Sequence, residues 1–395
     1  MLDLTTLQNE LAWPLTILIA WTAGEFAYSW LRLPRISAYA VVGFLLAPSQ
    51  LGLLPSTPFP MMLVIANIAF GLILFESGYR INLRWLRDNP WLTAASLTEA
   101  SLTFISVYLL ALVFNQETIT ALLLAALSMA SSPATILRGI HEQKSSGQVT
   151  ERSLHLSVLN CVLAVFIFKI VVGLEIFKTS GDLWNAAYNS IIALIISAFI
   201  GAGFGIVIPG ILRLSKRLHQ DGTLAFTIAV ILIVALTHSL KLSPVLATLT
   251  FGLFVRHRRI VLNASQRGFG AIGDLLAVMM FVFIATTIEW RQVLMGMSMG
   301  FAILAVRLLC KVFGIGIFSR VSGISWRKGA LVGLASMPIS AFVILVLEQT
   351  RFIGINFVDQ LAPLATAAII LEIFGPILLQ KVLIWAHEVP ENKGV

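Results

Sequence analysis

The sequence predicts an all-helical protein that crosses a membrane many times. Hydrophobic residues make up 58% of its 395 residues, whereas charged residues make up only 12%. Soluble globular domains carry about twice that fraction of charge. Apolar stretches of roughly 17 to 25 residues, the length of a membrane-spanning helix, recur along the whole chain. The predicted fold class is therefore all-α and polytopic.

Thirteen transmembrane helices follow when these stretches are taken in order. The predicted spans cover residues 11–31, 36–54, 61–79, 91–114, 118–140, 153–178, 183–212, 223–240, 242–255, 270–289, 292–319, 329–348 and 355–386. The longest polar stretches are short, so we expect no soluble regulatory domain. The two cysteines both fall inside spans, which argues against a secreted disulfide framework.

Basic residues indicate how the spans are oriented, because short cytoplasmic loops collect Lys and Arg. They cluster at the inner ends of alternate spans: Arg32 and Arg35; Arg80, Arg84 and Arg87; Arg138, Lys144 and Arg152; Arg213, Lys216 and Arg217; Arg256, Arg258 and Arg259; Arg320, Arg327 and Lys328. This pattern places the N-terminus outside and the C-terminus in the cytoplasm. The net charge of +8 therefore reflects topology, and we expect no nucleic-acid partner.

Two spans share a weak internal similarity that predicts broken helices. "LSMASSPAT" (127–135) and "LASMPISAF" (334–342) are both small-residue stretches with a central proline, and they run in opposite directions through the membrane. Proline removes a helix hydrogen bond, and unwound backbone in a bilayer survives only inside protein or along a cavity. Interrupted helices in corresponding positions of inverted halves are typical of a transporter site at mid-membrane, although two simple kinks are the plainer alternative.

Ionisable side chains deep in spans are costly and indicate a function by default. Arg307 lies 13 residues from Arg320 and 16 from Arg291, which is about 20 Å from either water phase. Glu372 shares this depth, so we expect an Arg307–Glu372 ion pair, with a structural role slightly favoured over a transport role.

Lys311 lies one turn after Arg307, at nearly the depth of Asn160 and Cys161 in "SVLNCVLAVF" (157–166). It is predicted either to face the broken helices or to reach the cytoplasmic surface. Glu76 and Glu99 are secondary candidates. Glu76 has a surface pair with Arg80 as its alternative, and Glu99 has a buried structural role.

No enzyme motif accompanies these residues. The sequence contains no Walker loop and no HExxH motif, and the cysteines lack the spacing of a zinc site. We therefore expect no enzymatic activity, no cofactor and no metal centre.

The order and spacing of six segments resemble the monovalent cation:proton antiporter superfamily, the sodium or potassium/proton exchangers of bacteria. The segments are "LPRISAYAVVGFLLAPSQLGLLP" (33–55), "LILFESGYRINLRWLR" (72–87), "SSPATILRGI" (131–140), "GQVTERSLHLSVLNCVLAV" (147–165), "LSPVLATLTFGLFV" (242–255) and "GISWRKGALVGLASMPISAF" (323–342). The resemblance runs over most of the chain. It implies a dimerisation domain packed against a mobile core domain, with two broken helices crossing near the transport site.

The resemblance also implies which residues form that site. The breaks would lie at Ser131, Ser132 and Pro133 and at Met337, Pro338 and Ser340. The family carries an Asn-Asp or Asp-Asp pair on the helix after the first break. Asn160 matches the first position, but Cys161 stands at the second.

Cys161 departs from the family where a carboxylate would hold the cation or the proton. Sodium and potassium prefer oxygen ligands, whereas a thiol is soft, and its reference pKa of about 8.5 keeps it mostly neutral. Three interpretations remain open: an antiporter disabled by Cys161, a relative that moves ions through other groups, or an anion-handling, channel-like or non-transporting relative.

The resemblance sets further expectations for organisation and location. Residues 1–178 would form a first inverted repeat of six spans, residues 179–222 a linker helix, and residues 223–395 a second repeat of six spans. We expect a homodimer in the cell membrane, with the bacterial inner membrane favoured, whose partners are protons, Na⁺ or K⁺ and the lipid bilayer.

Overall fold

The computed structural model describes residues 4–55, 60–178, 183–214, 218–258, 269–352 and 361–390, and these ranges contain helices and no strand. The first nine helices are α1 (Leu4–Trp30), α2 (Arg35–Leu46), α3 (Pro60–Arg80), α4 (Leu83–Asp88), α5 (Pro90–Val113), α6 (Thr118–Ser128), α7 (Pro133–Gln143), α8 (Gln148–Lys178) and α9 (Leu183–Leu214). The next eight are α10 (Leu218–Ser239), α11 (Pro244–His257), α12 (Gly270–Thr286), α13 (Trp290–Met295), α14 (Met297–Ile317), α15 (Trp326–Ala335), α16 (Ala341–Phe352) and α17 (Ala362–Trp385). The predicted all-α class is confirmed.

Eight segments of the described chain are long and apolar enough to cross a bilayer. They are α3, α5, the α6–α7 pair, α8, α9, α10, α14 and α17. Each predicted span overlaps a helix or a helix pair. The count of thirteen spans stays a prediction, because α2 and α12 are shorter apolar helices.

Two predicted spans are shortened or divided, the first because of its local sequence and the second because of helix packing. The helix predicted over 36–54 ends at Leu46, because Ala47 precedes Pro48 and adopts an extended conformation with ψ 154°. The span predicted over 292–319 is divided at Gly296 into α13 and α14. A Cβ at Gly296 would lie 2.3 Å from the Ala362 carbonyl oxygen, so this close approach to α17 requires glycine. Residues 355–360 of the last predicted span lie outside the described residues.

Both predicted helix breaks are present. The first separates α6 from α7, where Pro133 opens α7 and the Ser132 side chain accepts a hydrogen bond from the Thr135 amide at 3.2 Å. The second separates α15 from α16. The Ser132 amide donates to the Pro338 carbonyl oxygen at 2.9 Å. The two breaks therefore meet inside the protein, which satisfies backbone groups that no helix can satisfy.

The broken helices lie in the interior, whereas α9 lies at the surface. Within the most apolar window of each, α6–α7 is 94% buried and α9 is 22% buried. Around the breaks, α5 packs on α6 and α8 just as α14 packs on α15 and α17. The helices around the two breaks therefore pack in a similar way, as expected if the two halves of the chain have similar helix arrangements.

A second packing region joins α3, α9, α10 and α11. The Phe75 ring centroid lies 4.7 Å from that of Phe251 and 5.4 Å from that of Phe226. Helices α3 and α11 cross closely at Gly252, where a Cβ would lie 2.0 Å from the Phe75 carbonyl oxygen. The helices around the crossing of the two breaks are instead α5 to α8 and α14 to α17.

Candidate functional site

Arg307 of α14 lies where the two breaks meet. It is fully buried, and its Nη2 donates to the carbonyl oxygens of Met337 at 2.9 Å and Ala130 at 3.3 Å. The last carbonyl groups of a helix have no intrahelical partner and carry partial negative charge. The guanidinium thus satisfies the carbonyl ends that α6 and α15 present to the crossing.

A buried ion pair lies beside the first break. The Lys311 Nζ atom lies 2.6 Å from Glu99 Oε1, and both side chains are fully buried. Lys311 also donates to Ser131 Oγ at 3.0 Å. The Asn160 amide donates to Glu99 Oε2, and Asn160 Oδ1 accepts from Ser96 Oγ at 2.7 Å. Glu99 and Asn160 are therefore held by neighbours rather than directed into an open site.

Cys161 has a much poorer polar environment. Its side chain is 1% exposed, and in the described part of the chain its sulfur has one hydrogen-bond partner, Ser340 Oγ at 3.6 Å. The Lys311 ammonium is directed at Glu99 and Ser131 instead. A thiol in this position offers a monovalent cation neither charge nor oxygen.

The comparisons with known proteins agree with this architecture. Residues 15–385 match the family described as "Sodium/hydrogen exchanger, transmembrane". The chain belongs to the sodium/hydrogen exchanger family. It is therefore a multi-pass membrane protein of a transporter family rather than of an enzyme family.

Solved structures of one sodium proton antiporter share the fold of this family member. The sodium proton antiporter MjNhaP1 from Methanocaldococcus jannaschii at pH 8 is 16% identical, with 95% of each chain covered and a TM-score of 0.68. A second structure of that antiporter, from an electron microscopy map, gives the same identity and coverage and a TM-score of 0.70.

The ion pair predicted between Arg307 and Glu372 is not formed in the structure of this protein. The Arg307 guanidinium binds backbone carbonyls, and its Nε and Nη1 atoms have no hydrogen-bond partner among the described residues. Glu372 is 4% exposed, and its Oε1 atom likewise has no partner there. The prediction was wrong because equal depth in the membrane does not fix the direction in which a helix presents a side chain.

Glu76 forms more than the predicted surface pair. Its Oε1 lies 3.2 Å from Arg80 Nη2 and 2.9 Å from His141 Nε2, and the side chain is 6% exposed. His141 belongs to α7, the half-helix that follows the first break. Glu76 thus links α3 to the half-helix that follows the first break.

Two further ion pairs join the same end of α7 to other helices. Arg138 pairs with Asp274 of α12, and Glu142 pairs with Arg35 of α2 at 3.4 Å. With the contact of His141, three side chains of α7 contact three different helices. We interpret these pairs as the attachment of the first broken helix to the helices around it.

Sequence reasoning missed the part that α5 plays. Glu99 is only a secondary candidate from the sequence, and Ser96 and Thr103 are not among the predicted site residues. The Thr103 hydroxyl donates to Glu99 Oε1 at 3.2 Å, and Ser96 contacts Asn160. Polar residues at 96, 99 and 103 follow the helical spacing of one face, so a polar stripe in this otherwise apolar span was the available signal.

Proposed function

We propose that this protein is a secondary active transporter of the monovalent cation/proton antiporter type in which exchange of Na⁺ or K⁺ is weak because of Cys161. The observation that supports this proposal is the sulfur at the meeting point of α8 with the second break, 3.6 Å from Ser340 Oγ. The expected cation site therefore has no carboxylate at position 161, and the nearby Glu99 is already neutralised by Lys311.

The proposal includes an organisation that the resemblance suggests. Residues 1–178 and 223–395 would be two inverted repeats joined by residues 179–222. The helices that carry the two breaks would move together against the others in a homodimer, with the C-terminus in the cytoplasm of a bacterial cell. The similar packing of α5 and α14 on their neighbours is consistent with such repeats.

Proton movement in proteoliposomes tests this function. Wild-type protein, Cys161→Asp and Cys161→Asn would be compared with a pH-sensitive dye under sodium or potassium gradients. Asn has the shape of Asp without its charge, so it controls for size. We expect wild type and Cys161→Asn to show weak exchange, measurably above the level of empty liposomes, and Cys161→Asp to exceed both at least tenfold.

Two results would contradict this account. Strong sodium- or potassium-driven proton movement by wild type would show that Cys161 does not limit exchange. Equal signals from Cys161→Asp and Cys161→Asn would show that a carboxylate at position 161 adds nothing.

An anion transporter is the second candidate, favoured by the charges at the crossing. Arg307 and Lys311 are both buried beside the breaks, and within the described part of the chain Glu99 is the one carboxylate that is ion-paired with either of them. Chloride flux measured in the same vesicles separates the candidates, because an anion transporter would move chloride in the wild-type form and need no acid at position 161. Flux that neither saturates nor couples to protons would indicate a channel.

A further inference from the structure

Glu372 of α17 differs from the other carboxylates buried in the described helices. Glu99 is paired with Lys311, and Glu76 is paired with Arg80 and His141. Glu372 is 4% exposed, and it forms no ion pair within the described residues; its Oε1 atom has no hydrogen-bond partner there. The transport site described above makes no use of this group.

The position of Glu372 places it close to the second break. Gly375 approaches Pro338 so closely that a Cβ at position 375 would lie 3.1 Å from the proline ring. Glu372 precedes Gly375 by three residues, which is a rise of about 4.5 Å on much the same face of the helix. The next residue, Ile373, accepts a hydrogen bond from Ser37 of α2 at 2.6 Å. Glu372 therefore lies where α17 passes between the breaks and α2.

Among the described residues, no charged group on the helices packed against α17 neutralises Glu372. Those helices carry the following titratable groups: Arg35 and Tyr39 on α2, Arg138, His141 and Glu142 on α7, Arg291 on α13, Arg307, Cys310 and Lys311 on α14, and Arg327 and Lys328 on α15. None of them forms an ion pair with Glu372 in the described residues. An unpaired carboxylate buried in a bilayer is so costly that it takes up a proton instead.

We propose that Glu372 is the proton-binding carboxylate of this transporter, in place of the acid that is missing at position 161. This inference rests on the proposed function. When water reaches the second break, the carboxyl group loses its proton to water and its oxygens then bind one monovalent cation, so one positive charge replaces another. The exchange that this chain retains passes through Glu372.

Infrared spectroscopy of the purified protein in lipid tests where the proton is, without any need for transport. A protonated carboxylic acid has a carbonyl stretching band that a carboxylate lacks. We expect this band at neutral pH in wild type, its loss in Glu372→Gln, and its retention at a shifted frequency in Glu372→Asp. Glu117→Gln removes an exposed carboxylate and should leave the band unchanged. A band that persists in Glu372→Gln, or that wild type lacks, overturns the inference.

Transport in two backgrounds then separates proton binding from a structural role. Glu372→Gln should lower the weak exchange of wild type to the level of empty liposomes, whereas the Cys161→Asp, Glu372→Gln double variant should keep half or more of the exchange of Cys161→Asp. Equal losses in both backgrounds would mean that Glu372 acts structurally. A silent Cys161→Asp protein would refute the proposed function alone, because the infrared band is measured independently.

Discussion

Removing Lys311 tests most sharply whether the buried ion pair holds the site together. Lys311→Met keeps the length of the side chain and deletes the ammonium that lies 2.6 Å from Glu99 Oε1 and 3.0 Å from Ser131 Oγ. Glu99 then remains fully buried with only its hydrogen bonds from Asn160 and Thr103. We expect a strongly destabilised protein.

The size of the effect follows from this geometry. Breaking a buried pair by removing one partner costs about 3–5 kcal/mol. Because Glu99 keeps two hydrogen-bond donors, we expect the lower end, about 3 kcal/mol, which is roughly a 150-fold change in the ratio of folded to unfolded protein. Removing both charges leaves no uncompensated ion. The double variant Glu99→Gln, Lys311→Met should therefore recover about 2 kcal/mol relative to the sum of the single variants.

Equilibrium unfolding in mixed micelles, followed by tryptophan fluorescence, measures these differences for wild type, both single variants and the double variant. Glu117→Gln serves as the control, because Glu117 is exposed. If the effects of the two single variants add to within about 0.5 kcal/mol, the residues are energetically independent. That result would refute the assignment of Lys311 and Glu99 as a pair that stabilises the site.

Two further predictions concern how the helices are held. Gly252→Ala should destabilise the protein by about 1–3 kcal/mol in thermal unfolding, because its methyl group would meet the Phe75 carbonyl oxygen. Gly203→Ala is the control, because a methyl group there has open space and should be neutral or slightly stabilising. Equal effects of the two substitutions would contradict the close crossing of α3 and α11. Glu388→Gln should lower the free energy of unfolding by about 1–2 kcal/mol, because Glu388 accepts hydrogen bonds from the amides of Val149 and Thr150 at the start of α8, both at 2.8 Å. An unchanged melting temperature would show that the protein does not need these bonds.

The helix breaks were predictable because their cause is local. Pro133 and Pro338 each stand in a run of small residues within an apolar span, and proline interrupts a helix whatever lies around it. The end of α2 was equally accessible, because Pro48 is visible in the sequence, whereas the start of α14 was not, because it depends on the approach of Gly296 to α17.

The partners of the buried charges were not predictable in the same way. Sequence spacing gives the depth of Arg307, Lys311, Glu99 and Glu372 in the membrane, but partners are chosen by rotation of each helix about its axis. Glu99 and Lys311 are separated by 212 residues in the chain. Only the packing of α5 against α14 brings them together. The same packing leaves Glu372 without the guanidinium that was expected for it.

Direct cation binding tests most simply whether the sulfur at position 161 occupies the place of the missing acid. Purified wild-type and Cys161→Asp proteins would be compared for specific binding of radioactive sodium and of rubidium as a substitute for potassium. We predict specific, saturable binding by Cys161→Asp at concentrations at which wild type shows none. Saturable binding of either cation by wild type that is as tight as the binding by Cys161→Asp, and undiminished in Cys161→Ala, would contradict the account.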